Sequence, residues 1–274
     1  MRDVCITGVG STPFGKLDGR SGASLAVEAA SRDWGSVLHR HPAEIADLRL
    51  SWPIPGRALP NPGTLSRAQG CLLGQLAGDS LGGLVEFQTP REIAAQYPQG
   101  ARMLADGGTW STLAGQPTDD SEMALALARS IVQSGRYDVE AAARAYAWWH
   151  DSGPFDIGGT TRSALAPAAS AVRDRQSVAE AARRATKTGS EANGALMRVS
   201  PLGVAGAGCP PGTVAAWARA DAELTHPHPV CQAANAVFAE AIAFAIRTGA
   251  TPEEIYGHAL ATATDTRAPG PVQD

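Results

Sequence analysis

Gln116-Pro117-Thr118-Asp119-Asp120-Ser121-Glu122-Met123 sets a threonine and two adjacent carboxylates directly ahead of an apolar run, Ala124 to Val132. The run reads as a helix that stops at Gly135. Thr118 is then the expected N-cap, with Asp119 and Asp120 in the first turn. Two readings fit. In one, the acids do no more than complement the helix macrodipole. In the other, a threonine hydroxyl and two carboxylates are hard oxygen ligands for Mg²⁺, Mn²⁺ or Ca²⁺, all pointed one way by the fixed helix start.

Upstream, the chain reads Gly70-Cys71-Leu72-Leu73-Gly74-Gln75-Leu76-Ala77-Gly78-Asp79-Ser80-Leu81-Gly82-Gly83-Leu84-Val85-Glu86-Phe87. A helix over Leu65 to Leu84 puts Gly70, Gly74, Gly78 and Gly82 on one face. Glycine inside a helix costs about 1 kcal/mol against alanine, so a smooth face for close helix packing is the expected return. Packing does not account for Asp79, which interrupts the apolar pattern, or for Glu86 after the last glycines.

This string, followed by Pro117-Thr118-Asp119-Asp120-Ser121, resembles the ADP-ribosylglycohydrolase family. Three further matches follow in the family's order: Gly153-Pro154-Phe155-Asp156-Ile157-Gly158-Gly159-Thr160-Thr161, Gly189-Ser190-Glu191-Ala192-Asn193-Gly194-Ala195-Leu196-Met197-Arg198, and Leu224-Thr225-His226-Pro227-His228-Pro229. The resemblance implies an all-α helical bundle around a binuclear Mg²⁺ or Mn²⁺ centre. It places Thr118, Asp119 and Asp120 at metal-ligand positions. Glu86 falls at a glutamate that positions water or substrate, and Asp156 at an acid/base residue. Gly189, Ser190, Glu191, Asn193, Gly194 and Met197 fall in a phosphate- and ribose-binding segment, and His226 on a histidine that lines the cleft. The implied partner is an ADP-ribosylated protein, arginine-linked or a related ADP-ribose conjugate.

The residues themselves agree in chemistry. Glycosidic cleavage needs a carboxylate or an activated water near the anomeric carbon. Glycines such as Gly189 and Gly194 let backbone N–H groups approach phosphate oxygens. Plain structural readings stand beside these. Asp156 ahead of Ile157-Gly158 is also a turn former. Gly189 is also a C-cap for a helix from Val178 to Lys187, opened by Ser177 and Glu180 as a capping box. His226 and His228 lack a third ligand at zinc spacing. Trp148 and Trp149 are expected in the core. Further helices are expected over Thr213 to Glu223, Val230 to Arg247 before Gly249, and from the Thr251-Pro252-Glu253-Glu254 capping box to about Ala263.

The bulk numbers exclude several classes. A net charge of -4 offers no electrostatic footprint for nucleic acid or a membrane surface. The sequence shows no apolar run expected to span a bilayer and no secretory leader. The four cysteines are scattered, as expected for a reduced, cytoplasmic protein. Nothing in the sequence sets the oligomeric state.

Residues 1–62 are expected to be an extension outside the helical domain at 63–274. Its opening resembles the start of thiolase-like proteins through Gly8-Val9-Gly10-Ser11-Thr12-Pro13-Phe14-Gly15, without that family's cysteine motif. Gly8-Val9-Gly10 falls short of a dinucleotide fingerprint because Pro13 sits where the helix would open. Leu50 to Pro62 carries four prolines among its last eleven residues and reads as an extended linker.

At the other end, the family's closing Asp-x-Asp-Thr motif has no counterpart. Thr264-Asp265-Thr266 lacks a second aspartate and reads as a helix end before Pro269. The expected domain is therefore C-terminally shortened, with its second metal position in doubt and apolar surface exposed. Two functions follow: a metal-dependent hydrolase of ADP-ribosylated side chains, or an ADP-ribose-binding protein with weak catalysis.

Overall fold

The computed structural model describes residues 62–265 and 268–273. The amino-terminal extension, its thiolase-like segment and nearly all of the proline-rich linker lie outside the described residues, as does Thr266. Among the described residues there are eleven α-helices and one 3₁₀ helix, and no strand beyond a lone bridge between Gly107 and Thr112. The expected all-α architecture is what the chain adopts.

In chain order the helices are α1 (Pro62–Gly82), α2 (Pro90–Gln96), α3 (Asp119–Ser134), α4 (Val139–Asp151), α5 (Gly159–Arg173) and α6 (Val178–Arg184). The 3₁₀ helix Asn193–Arg198 follows. Then come α7 (Ser200–Ala205), α8 (Thr213–Ala222), α9 (Pro229–Thr248), α10 (Pro252–Asp265) and α11 (Gly270–Gln273).

Alanine explains how so many helices meet. Along α4, Ala142, Ala143, Ala145 and Ala147 are buried with Tyr146 and Trp149. Small side chains let neighbouring helices approach, and a few large ones fill the remaining space. Trp149, Met123, Leu127, Leu165, Leu202 and Leu224 are the fillers, each fully buried. Burying one such leucine stabilises the fold by roughly 1.5–3 kcal/mol. Trp149 also donates its indole N–H to Glu122 Oε2 at 2.7 Å, so its one polar atom is satisfied. Trp148 packs at the margin of the same core.

Several boundaries differ from expectation, each for a local reason. α1 begins at Pro62 and ends at Gly82. Its glycine face is not a packing surface for any described element: a methyl group built on Gly70, Gly74, Gly78 or Gly82 meets nothing within 4 Å. α6 stops at Arg184, so Gly189 is not its C-cap. At the other end of α6, Ser177 accepts from Glu180 N–H as expected. Glu140 of α4 takes two more of the free donors, from Val178 and Ala179 at 2.8 and 3.0 Å. The Thr251 capping box forms in both directions.

α9 requires an amendment. At 20 residues it is long and apolar enough to cross a membrane by length and composition alone. Here it packs as an interior helix against α8, α7, α10 and α1. It also carries the fully buried Asn235, whose amide donates to Cys231 O at 2.7 Å.

The contact of α9 with α7 is close. A methyl group on Gly203 would lie 2.6 Å from Ile242 Cβ and 2.7 Å from the Ala239 carbonyl. Gly203→Ala must therefore push the two helices apart. It should lower stability by about 1–3 kcal/mol, read as a drop in thermal midpoint. An unchanged midpoint would show that α7 does not seat on α9 in this way.

Candidate functional site

Asp79, near the end of α1, organises the entry to α3. Its carboxylate accepts the Thr118 hydroxyl at 2.7 Å, the Thr118 N–H at 3.1 Å and the Ser121 N–H at 3.0 Å. Thr118 does occupy the N-cap position with extended backbone, yet its own side chain caps nothing. The capping oxygen comes from Asp79 instead. A carboxylate at the positive end of a helix is favourable, and this one joins two helices while satisfying the first-turn donors. That accounts for the aspartate that interrupts the apolar pattern of α1.

The fixed start of α3 presents Asp119 and Asp120 side by side. Asp156 arrives from the segment before α5, and Glu86 from the turn after α1. Burial is the leading cause that raises the proton affinity of all four, and their mutual negative charge adds to it. Asp119 is pushed up to about 9 and Asp120 to about 6. Asp119 lies within hydrogen-bonding reach of both Asp120 and Asp156. Among the described residues, none of the four is paired with an arginine, lysine or histidine. The Trp110 indole N–H donates to Glu86 Oε2 at 3.2 Å, and Trp110 also lies close enough to Asp156 to favour its ionised form.

Crowded carboxylates without a cationic partner are the donor chemistry that a hard divalent cation relieves. Thr118, Asp119 and Asp120 fit such an ion by donor type. The arrangement stops short of a closed set. Among the described residues, no group of three or more His, Cys, Asp or Glu is gathered closely enough to hold a metal.

The second segment singled out in the sequence is the Gly189–Gly194 loop. Thr160 in the first turn of α5 meets Ser190 hydroxyl to hydroxyl at 3.0 Å. Cys231 of α9 donates to the carbonyls of Ser190 and Ala192 from beneath, each at 3.6 Å. His228 approaches Glu191 at 3.4 Å. Gly189, Glu191 and Asn193 face solvent. Gly194 must be glycine: a Cβ there would fall 2.7 Å from the His226 ring and 2.8 Å from Thr161 Oγ1. Gln75 of α1 links the start of α3 to the 3₁₀ helix by donating to the carbonyls of Asp120 at 3.3 Å and Met197 at 2.9 Å. Ser200 donates to the carbonyl oxygen of the same Gln75 side chain.

His226 was expected to line the cleft. It lies behind Gly194 instead, 1% exposed. Burial, and then the neighbouring Arg198 charge, pull it down to about 4, so it is neutral at pH 7. Its Nδ1 shares a 2.8 Å bond with Thr225 Oγ1.

Behind His226 is a network that the sequence did not announce. Arg198 is fully buried. Its guanidinium donates to Asp221 Oδ2 at 3.0 Å, to Thr225 Oγ1 at 2.9 Å, to the Asp221 carbonyl at 2.9 Å and to the Gly194 carbonyl at 2.9 Å. Tyr146 donates to the other Asp221 oxygen at 3.0 Å and lays its ring 4.4 Å from the guanidinium carbon. Arg198 closes one of the motifs quoted above. The available signals for its partners were an aspartate on the inner face of α8 and a tyrosine among the alanines of α4.

The acid cluster has a consequence for stability. A carboxyl whose proton affinity rises on folding binds more protons folded than unfolded, so its contribution to stability is present at low pH and is lost as pH rises. For Asp119 the window runs from its ordinary value of 3.8 up to about 9. In chelator-treated protein, Asp119→Asn should raise the thermal midpoint at pH 8 by ~2–4 °C and flatten the decline between pH 5 and 8. A lower midpoint for the variant would show that Asp119 is not held among like charges.

Residues 60–273 match the ADP-ribosylglycohydrolase family. Over 175 residues the chain is 39% identical to an ADP-ribosyl-[dinitrogen reductase] glycohydrolase of Rhodospirillum rubrum, covering 63% of this chain and 55% of that one. It is 38% identical over 108 residues to the ADP-ribosylarginine hydrolase Tri1 of Pseudomonas putida, covering 37% of this chain and 28% of that one. A solved structure titled ADP-ribosylglycohydrolase-related protein complex superposes with a TM-score of 0.58 at 28% identity, over 76% of this chain and 64% of the other. The chain thus spans about half or less of the length of these two curated relatives. The order of the motifs, the helical architecture and the family match agree: the chain belongs to the ADP-ribosylglycohydrolase family.

Proposed function

We propose that this chain recognises ADP-ribose, free or attached to a protein side chain, and that its hydrolysis is weak. The observation that carries this reading is the anchoring of the Gly189–Gly194 loop. Bonds from Arg198, Thr160 and Cys231 hold it against α5 and α9, while Gly189, Glu191 and Asn193 remain open to solvent. A held loop binds a diphosphate with little ordering cost, because the backbone is fixed before the ligand arrives. Arginine-linked conjugates are the favoured class, in line with the ADP-ribosylarginine hydrolase of Pseudomonas putida that the chain resembles.

The family's chemistry has a specific observation in its favour. Glu86 and Asp156 both have raised proton affinity, and the Trp110 indole N–H donates to Glu86. A carboxyl of raised proton affinity is better suited to pass a proton to a leaving group, and a carboxylate beside it can take one from water. Thr118, Asp119 and Asp120 would hold Mg²⁺ or Mn²⁺. Such an ion would supply Lewis acidity and cancel the crowded negative charge. Asp79 and Gln75 keep the start of α3 and the 3₁₀ helix in register, so the acids and the loop face one ligand. A cluster that does not yet gather three donors around one point lacks the orientation that fast hydrolysis requires.

Calorimetry with ADP-ribose tests the binding reading. The full chain should bind it, and Gly194→Val should weaken binding at least tenfold, about 1.4 kcal/mol, by displacing the loop from His226. Release of ADP-ribose from arginine-modified protein should be slow, and faster with Mg²⁺ than with chelator. Absence of any ADP-ribose binding would remove the proposal. Fast Mg²⁺-dependent turnover would restore the full hydrolase.

A further inference from the structure

Phe87 and Phe155 each adjoin a carboxylate of the site, Glu86 and Asp156 in turn. Trp110 stands between the two rings. Its centroid is 6.3 Å from Phe87 at 84° and 5.9 Å from Phe155 at 62°, so both contacts are edge-to-face. The indole N–H is already committed to Glu86 at 3.2 Å. Thr109 donates to the Glu86 carbonyl at 2.5 Å and pins the same turn.

Phe87 is out of place by any folding criterion. It is 77% exposed, so it contributes little to the core. Its φ is 61°, a left-handed backbone that aromatic residues avoid. A strained, exposed aromatic next to Glu86 and edge-to-face with Trp110 has an explanation in recognition: π-faces and negative charge together suit a planar cation.

We infer that Phe87 and Trp110 form the acceptor subsite, where the guanidinium of an ADP-ribosylated arginine lies against the aromatic faces beside Glu86. The inference rests on the proposed ADP-ribose recognition and adds what discriminates between conjugates. Guanidinium gains from both the rings and the carboxylate, while a neutral serine linkage gains from neither.

Calorimetry on the full chain with ADP-ribose, ADP-ribosyl-L-arginine and ADP-ribosyl-L-serine, with and without Mg²⁺, separates the possibilities. The arginine conjugate should bind about three- to tenfold tighter than the serine conjugate. Phe87→Asn accepts the left-handed backbone and removes the ring, so the ratio should fall to about one. Phe87→Tyr should keep it. Equal affinities in the wild type, or an undiminished ratio in Phe87→Asn, overturn the subsite while ADP-ribose binding stands. Failure to bind any of the three overturns the subsite together with the recognition on which it rests.

Discussion

The guanidinium of Arg198 and the carboxylate of Asp221 meet at 3.0 Å with neither side chain exposed to solvent. Taking two charges out of water costs several kcal/mol each, which their attraction repays only when geometry and hydrogen bonding are nearly complete. Here Tyr146, Thr225 and the Gly194 carbonyl accept or supply the remaining bonds. Removing one partner leaves an unpaired buried charge, typically a loss of about 3–5 kcal/mol. The pair therefore fixes α4, α8, the 3₁₀ helix and the His226 segment relative to one another. The position of the Gly189–Gly194 loop follows from it.

The acid side of the site obeys the opposite logic. There the negative charges are gathered without a cationic side chain among the described residues, and burial drives them to keep protons. Asp79 stands beside them with a different task, accepting the N–H groups of Thr118 and Ser121 at the start of α3. The two halves have different sources of rigidity: a compensated ion pair behind the loop, and a borrowed helix cap under the carboxylates. Gln75 joins them through the Asp120 and Met197 carbonyls.

Much of this was legible in the sequence, and the exceptions share a cause. Apolar periodicity, the Gly135 and Gly249 stops and the Thr251 capping box located the long helices because those signals are local. Glu86, Thr118, Asp119, Asp120 and Asp156 were grouped by the family resemblance, and the four acids among them lie within electrostatic reach of Asp119 or one another. What could not be read depends on partners far apart in the chain. The cap on α3 comes from Asp79, about forty residues earlier. Glu140 supplements the Ser177 cap of α6 from α4. His226 was assigned to a cleft wall, but it packs one layer deeper, behind Gly194, whose missing side chain leaves room for its ring. The glycine face of α1 obeyed helical spacing, yet periodicity cannot say whether another element covers it.

The central claim is that the acid cluster and the Gly189–Gly194 loop are two walls of one ADP-ribose site. A crystal structure of the full chain grown with ADP-ribose and Mg²⁺ tests it most directly. The account predicts the diphosphate on the loop between Gly189 and Gly194, the proximal ribose facing Asp156, and His226 still buried behind Gly194. ADP-ribose bound away from the loop, or a loop displaced from Arg198 on binding, would contradict it.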